Sequence, residues 1–537
     1  MRRTALAPAL ALFTTLGAGG CATTLASAAV ATATATGPNF GPALVGLAGA
    51  LRRVAPPGLP PSDSFPTTRP TLGPPKPLRL PPAADRRLPN GMRLVVVQHH
   101  ELPLADFALV VGTGTEADPA GREGLATMTA SLLDEGTPTR TSLQIADQAA
   151  YLGVSLNAGA GWDGSHVVLH TPTAQLDSAL ALMADVTVRP SFPASELDRV
   201  RKERLTGLLQ LRDRGPSIAN RAFAQAVFGG AHPYGRPADG TEASTRALTR
   251  DDVQRFYSTY WRPDNATLVV VGDVTPDDVA QRVERAFGSW RAPAGAALAA
   301  PVAPPPPAAG TARVVLVDKP GAPQSSVRIG MPSAARATPD YFPLVVLNTV
   351  LGGSFTSRLN QNLRETHGYT YGANSRFDLR RSAGPFLSAA EVTGTKTDSA
   401  LVEFMKELRA IGDTVPAAEL EKAKRYLVLQ MPGEFETTGG IAGELIPVVT
   451  YGLPLDYYNA YAAKLQAVTQ ADVQRVARRY VDPAHLTIVV VGDRATVEPK
   501  LRALGLGPVE IRSANDVLGA SAAVPGGAAG VGGPSTP

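Results

Sequence analysis

Cysteine is almost missing from this chain: Cys21 is the only one in 537 residues. That excludes an intramolecular disulfide framework and any thiolate-based metal cage. Aromatic residues make up only 6%, and neither sign of charge predominates, with 51 basic against 47 acidic side chains and a net charge of +4. So small an excess, with no Lys/Arg block, excludes the electrostatic footprint of a nucleic-acid binder. Long hydrophobic runs are missing as well. The most apolar stretch, Thr4 to Gly17, is shorter than the ~20 residues a spanning helix needs.

Glycine (52) and proline (48), by contrast, together exceed the ~12% usual for globular chains, and the surplus is local. Residues 1–28 read as an export signal: Arg2 and Arg3 precede an apolar segment, and small residues follow. Two processing readings are open. Ala26, Ser27 and Ala28 allow ordinary signal-peptidase cleavage. Cys21, directly after Ala18-Gly19-Gly20, resembles a lipobox cysteine and is the candidate lipid-attachment residue, although Ala18 stands where Leu is usual. Either route predicts an exported protein, periplasmic or held at the cell envelope as a lipoprotein. Residues 29–88 are Ala/Thr-rich and then Pro-rich, the composition of a disordered tether. A Pro/Ala linker occupies 291–310 and a Gly/Ala/Ser/Pro tail 513–537.

Between these segments lie two bodies, 89–290 and 311–512, and they are related. Asp252 to Asp273 reads DVQRFYSTYWRPDNATLVVVGD, and Asp472 to Asp493 reads DVQRVARRYVDPAHLTIVVVGD. Asp-Val-Gln-Arg, a Tyr, a Pro and the closing Val-Val-Val-Gly-Asp recur in register, so one helix-then-strand unit has been duplicated. The expected fold class is α+β, built from tandem duplicated domains. In the first body, Met92–Gln98 and Phe107–Gly112 read as paired strands after an Asn90-Gly91 turn. Ser165–His170 reads as a further strand, and 126–134, 143–152 and 176–188 as helices.

Seven histidines offer little metal chemistry. His166 and His170 share one strand face about 13 Å apart, at ~3.3 Å per residue, too far for one ion. His99 and His100 end a strand and read as solvent-exposed. No nucleophile elbow is present.

Taken together, GTGTEADPAGREGLATMTASLLDEGT, FPASELDRVRKERLTGLLQ, HPYGRP from His232 and LGGSFTSRLNQNLRETHGYTYGA resemble the pitrilysin/insulinase family of zinc peptidases. The likeness is to the branch containing mitochondrial processing peptidase and its paired bacterial relatives. It implies an α/β sandwich repeated to form half of a clamshell. It also implies a zinc held by an inverted His-x-x-Glu-His motif on the first long helix and by a later Glu. Two His at i and i+4 share a helix face and chelate one ion, while the Glu activates its water.

Here the two His positions are Thr127 and Ser131, the Glu is Ala130, and the later ligand falls at Gly207. None can bind metal or act as a base, so no cofactor is expected in this chain. An Arg and a Tyr that in relatives contact the substrate peptide match Arg364 and Tyr371. A guanidinium donates to peptide carbonyls, and a phenol can donate to a developing oxyanion. The resemblance therefore implies a non-catalytic, substrate-binding subunit. It would act on a peptide or unfolded protein as a heterodimer with a zinc-bearing paralogue, and would touch membrane only through a lipid anchor. The alternative is a structural or peptide-binding family member with no role in proteolysis.

Overall fold

The computed structural model describes residues 79–520, apart from 294–297, 299–303 and 309. The export segment with Cys21, the tether before residue 79, part of the linker and the tail beyond 520 lie outside the described residues. In the first half the order is β1 (Ala84–Arg87), β2 (Arg93–Gln98), β3 (Leu104–Val111), α1 (Leu125–Ser131), α2 (Ser142–Leu152), β4 (Ser155–Ala160), β5 (Ser165–Pro172), α3 (Leu176–Val188), α4 (Ala194–Leu211), α5 (Gly215–Phe228), α6 (Glu242–Ala247), α7 (Arg250–Tyr260), β6 (Ala266–Gly272) and α8 (Pro276–Phe287). The second half follows the same plan. It comprises β7 (Arg313–Asp318), β8 (Gln324–Pro332), α9 (Tyr341–Leu351), β9 (Thr370–Phe377), β10 (Pro385–Thr393), α10 (Thr397–Asp413), α11 (Ala417–Glu434), α12 (Thr438–Thr450), α13 (Tyr461–Ala467), α14 (Gln470–Tyr480), β11 (Thr487–Gly492), α15 (Arg494–Ala503), β12 (Val509–Ser513) and α16 (Ala514–Leu518).

Each half carries one mixed six-stranded sheet, ordered β1-β2-β6-β3-β5-β4 and β12-β7-β11-β8-β10-β9. The duplicated unit sits at the same place in both. Thr249 and Thr469 cap α7 and α14 through reciprocal bonds with Asp252 and Asp472, which is why each repeat opens on that aspartate. The strands β6 and β11 end on Gly272 and Gly492, where a Cβ would stand 2.4 Å from the Leu104 carbonyl and 2.7 Å from the Ser325 hydroxyl respectively.

Three expectations need correction. The Asn90-Gly91 turn joins β1 to β2, and β6 lies between β2 and β3, parallel to the first and antiparallel to the second. A Val-Val-Val strand from far along the chain buries both faces there, which local pattern cannot show. The end of the expected tether is folded, because Ala84–Arg87 pairs with Arg93–Val96 and Asp85 bonds Arg93. At the other end, Ser513 closes β12 and caps α16, so folded structure continues into the expected tail.

The Val runs explain how the halves are joined. In the first sheet, Leu94, Val96, Leu268 and Val270 pack with that half's own helices. Their alternates Val95, Val97, Val269 and Val271 pack against Ile441, Ala442, Leu445 and Val448 of α12, which belongs to the second half. Reciprocally, Val315, Val317, Val489 and Val491 of the second sheet pack against Ile218, Ala219, Ala222 and Phe223 of α5. The i, i+1, i+4, i+5 spacing on α5 makes the single apolar face this requires. Burying each Val, Ile, Leu or Phe side chain among these contributes roughly 1.5–3 kcal/mol.

A buried polar junction adds to the exchange. Asp163 accepts hydrogen bonds from the Tyr234 hydroxyl at 2.7 Å, the Tyr451 hydroxyl at 3.1 Å and the Arg381 backbone N–H at 2.7 Å. The Arg381 guanidinium reaches Glu116 at 3.1 Å and donates to the carbonyls of Gly112 and Asp163. His232 holds the turn before Tyr234: its Nδ1 accepts the Tyr234 N–H at 3.0 Å and its Nε2 donates to the Pro304 carbonyl at 2.9 Å.

Candidate functional site

The segment expected to bear the zinc motif is α1. Its N-terminus is fixed by Asp118, whose carboxylate accepts the N–H groups of Gly124 and Ala126, each at 2.8 Å. Burial pushes that carboxyl up to about 7, against the pull of those two backbone donors. Along the helix, the hydroxyls at the degenerate positions are absorbed locally. Thr127 donates to the Gly124 carbonyl at 3.0 Å, with the Ala238 carbonyl at 3.2 Å, and Ser131 donates to the Thr127 carbonyl at 2.9 Å. Ala130 is fully buried.

Gly207 faces outward on α4, and a Cβ there would meet nothing within 4 Å. Ser131 and Gly207 line one open cleft of about 470 Å³ between α1 and α4; Thr127 and Ala130 do not line it. Glu135, Glu203, Arg204, Arg214 and Asp239 supply the charges of that cleft. Among the described residues, no group of three or more His, Cys, Asp or Glu is arranged to hold a metal. The residues at these positions therefore do not fit a zinc ion, and no step can be routed through one here.

Arg364 and Tyr371 lie in the second half. After Leu351 the chain passes a Gly-Gly-Ser-Phe loop, a short helical turn and a π-turn at Gln361–Thr366, then enters the edge strand β9. Asn360 pins this segment: its side chain accepts the Ala373 N–H at 3.0 Å and donates to the Phe355 carbonyl at 3.1 Å. The Arg364 guanidinium lies 4.4 Å from the centre of the Phe355 ring and 3.5 Å from the Glu365 carboxylate. Tyr371 is 90% exposed and Phe355 62%. Phe355 presents its ring to the half-exposed Arg364 guanidinium, and Tyr371 leaves a phenol in solvent on the edge strand; each is a group that can contact a peptide. Phe355 and Asn360 were not singled out from the sequence. The run Gly-Gly-Ser-Phe was the available signal, since an aromatic in a Gly-rich loop has little core to enter.

Two of the other histidines, His170 and His100, each meet an aspartate. His170 pairs with Asp106 at 3.0 Å, and Asp106 also accepts from Thr438 at the start of α12. Burial pushes the pKa of His166 down. His100 is exposed and meets Asp273 at 2.7 Å, whereas His99 departs from expectation by burying its Nδ1 without a partner.

Comparison with known proteins identifies the family. Residues 93–223 match the family described as Insulinase (Peptidase family M16), and residues 247–427 match its companion, the Peptidase M16 inactive domain. Thr127, Ala130, Ser131 and Gly207 lie in the first of these regions. An uncharacterized zinc protease of Mycobacterium leprae is 30% identical over 349 residues, covering 63% of this chain and 76% of that protein. A non-peptidase homolog from Helicobacter pylori is 23% identical, covering 75% and 92%. The crystal structure of a peptidase M16 inactive domain from Pseudomonas fluorescens superposes with a TM-score of 0.72 at 26% identity, covering 76% of this chain and 98% of that one. By sequence, by fold and by the duplicated plan of its two halves, the chain belongs to the insulinase family, peptidase family M16.

Proposed function

We propose that this chain is a non-catalytic, substrate-binding subunit of an exported M16 peptidase, active only beside a zinc-bearing paralogue. The observation that carries this reading is one contrast. The four zinc-motif positions hold Thr127, Ala130, Ser131 and Gly207, while Arg364 and Tyr371 stay at the surface instead of being drawn into the core. A core role for Tyr371 is incompatible with its exposure, and the Arg364–Glu365 pair is too exposed to be worth more than about 1 kcal/mol. In this reading, Arg364 and Tyr371 hold a peptide by its carbonyls while the partner supplies zinc and the attacking water. The Helicobacter relative described as a non-peptidase homolog supports the absence of activity in this chain alone, and it also favours the second reading of a peptide-binding protein outside proteolysis.

Purified chain alone should bind no stoichiometric zinc and cleave no peptide. Mixed with a paralogue that carries His-x-x-Glu-His, it should restore cleavage of a fluorogenic peptide. Arg364→Ala and Tyr371→Phe should each lower kcat/KM of the complex by about 10-fold or more, the scale of one lost charge-assisted or oxyanion-directed donor. Unchanged kcat/KM in both variants would move the assignment to the second reading.

A further inference from the structure

Two of the four expected zinc positions, Ser131 and Gly207, line the cleft between α1 and α4, and the charges of that cleft are not arranged at random. Its three carboxylates are all engaged by arginines that do not line it. Glu135 meets Arg199 at 2.5 Å, Glu203 meets the same guanidinium at 2.7 Å, and Asp239 meets Arg221 at 2.7 Å. Its two arginines are not engaged in this way. Arg204 spends one N–H on the Gly124 carbonyl at 2.7 Å, and among the described residues neither it nor Arg214 has a carboxylate within ion-pair distance. Asp118 and Asp239 act on Arg204 only through space, and burial holds its pKa below the ordinary value for arginine. Arg204 is half-buried and Arg214 exposed, and a guanidinium with donors left free beside an open cleft can take an anion. The space for one is present, because Gly207 leaves open the volume a side chain would fill, and Val200, Leu208 and Leu211 provide apolar walls.

We propose that this cleft binds a carboxylate, supplied by a peptide C-terminus or an acidic side chain, with Arg204 as the principal donor and Arg214 assisting. The planar fork of Arg204 matches a carboxylate, whereas a cation would be repelled. The nature of the ligand rests on the reading of the chain as a peptide-binding subunit; the sign of its charge does not.

Isothermal titration of the purified full chain tests this with four probes: acetyl-trialanine with a free carboxylate, its C-terminal amide, the amide of acetyl-Ala-Asp-Ala, and inorganic phosphate. The free acid or the aspartyl amide should bind, which identifies the source, and the trialanine amide should not. Arg204→Gln should weaken binding about tenfold or more. Gly207→Glu, a change at an exposed position with no neighbour within 4 Å, should also weaken it by placing a carboxylate in the cleft, while Gly207→Ala should leave it intact. Equal binding of acid and amide, no binding of either carboxylate probe, binding of phosphate alone, or indifference to both Arg204→Gln and Gly207→Glu would overturn the proposal. Failure to restore cleavage with the zinc-bearing partner, with carboxylate binding retained, would remove the subunit reading and leave this site in place.

Discussion

Glu116 and Asp118 show how single buried acids set the response of this molecule to pH. Burial outweighs the Arg381 charge at Glu116 and pushes its carboxyl up to about 8, and burial pushes Asp118 up to about 7. An unfolded chain releases both protons near pH 4, so between pH 4 and 8 the folded form holds protons that the unfolded form does not. Their stabilising contribution is therefore complete in acid and is lost as the pH rises through about 7 to 8. Melting temperature should fall between about pH 5 and pH 8 and level off above, and Glu116→Gln should flatten that fall. A steeper decline in the variant would show that the Arg381 pairing, not burial, governs the group. On the acid side, Asp185 acts in the opposite sense. Burial works to raise its pKa, but hydrogen bonds from Thr137 and Arg140 and the nearby Arg189 hold it below the usual carboxylate range, so its contribution disappears as pH drops through that lowered value. Glu116 and Asp118 lie in the quoted Gly-Thr-Gly-Thr-Glu-Ala-Asp segment, but their burial depends on contacts distant in sequence, which is why the sequence alone did not mark them. Thr127, Ala130, Ser131 and Gly207, by contrast, could be named from spacing within the family resemblance, and the helix registers of α1 and α4 explain why only Ser131 and Gly207 share a cleft.

At the level of elements, the helices α4 and α5 invite two contrasting substitutions. Gly207 sits inside α4 with no close neighbour, so Gly207→Ala should raise stability by roughly 0.5–1 kcal/mol through helix propensity alone, readable as a higher midpoint in urea. Phe223 on α5 is buried against the second sheet, and Phe223→Ala should cost about 3–5 kcal/mol. Helices and strands such as Leu176–Val188 and the two Val-Val-Val-Gly-Asp strands were legible because their apolar periods are unbroken. What was not legible is partner choice. The apolar face of α5 predicts burial but carries no address, and nothing local tells β2 that β6 will lie beside it in place of β3. Such pairings are decided by long-range closure, where periodicity is silent.

For the whole molecule, the exchange of α5 and α12 makes the two sheets mutually dependent. Each half expressed alone would leave one sheet face uncovered, Val95, Val97, Val269 and Val271 in the first and Val315, Val317, Val489 and Val491 in the second. Denaturation of the intact chain should accordingly give a single transition by circular dichroism and by tryptophan fluorescence, whose reporters Trp162, Trp261 and Trp290 all lie in the first half. Two separated transitions would show that the halves fold independently despite the exchange. Phe223→Ala, although placed in the second sheet's cover, should shift that same tryptophan signal.

The exchange also sets an order of events during synthesis. The strands β1 to β6 are complete once Gly272 has been made, yet the helix that covers one face of their sheet, Thr438–Thr450, is specified much later in the chain. Through that interval the newborn first half carries a bare valine surface, which only the arrival of the second half can remove from water. Any factor that shields the growing chain has its longest task there, and a ribosome that stops between the two halves releases a sticky fragment instead of a smaller working domain.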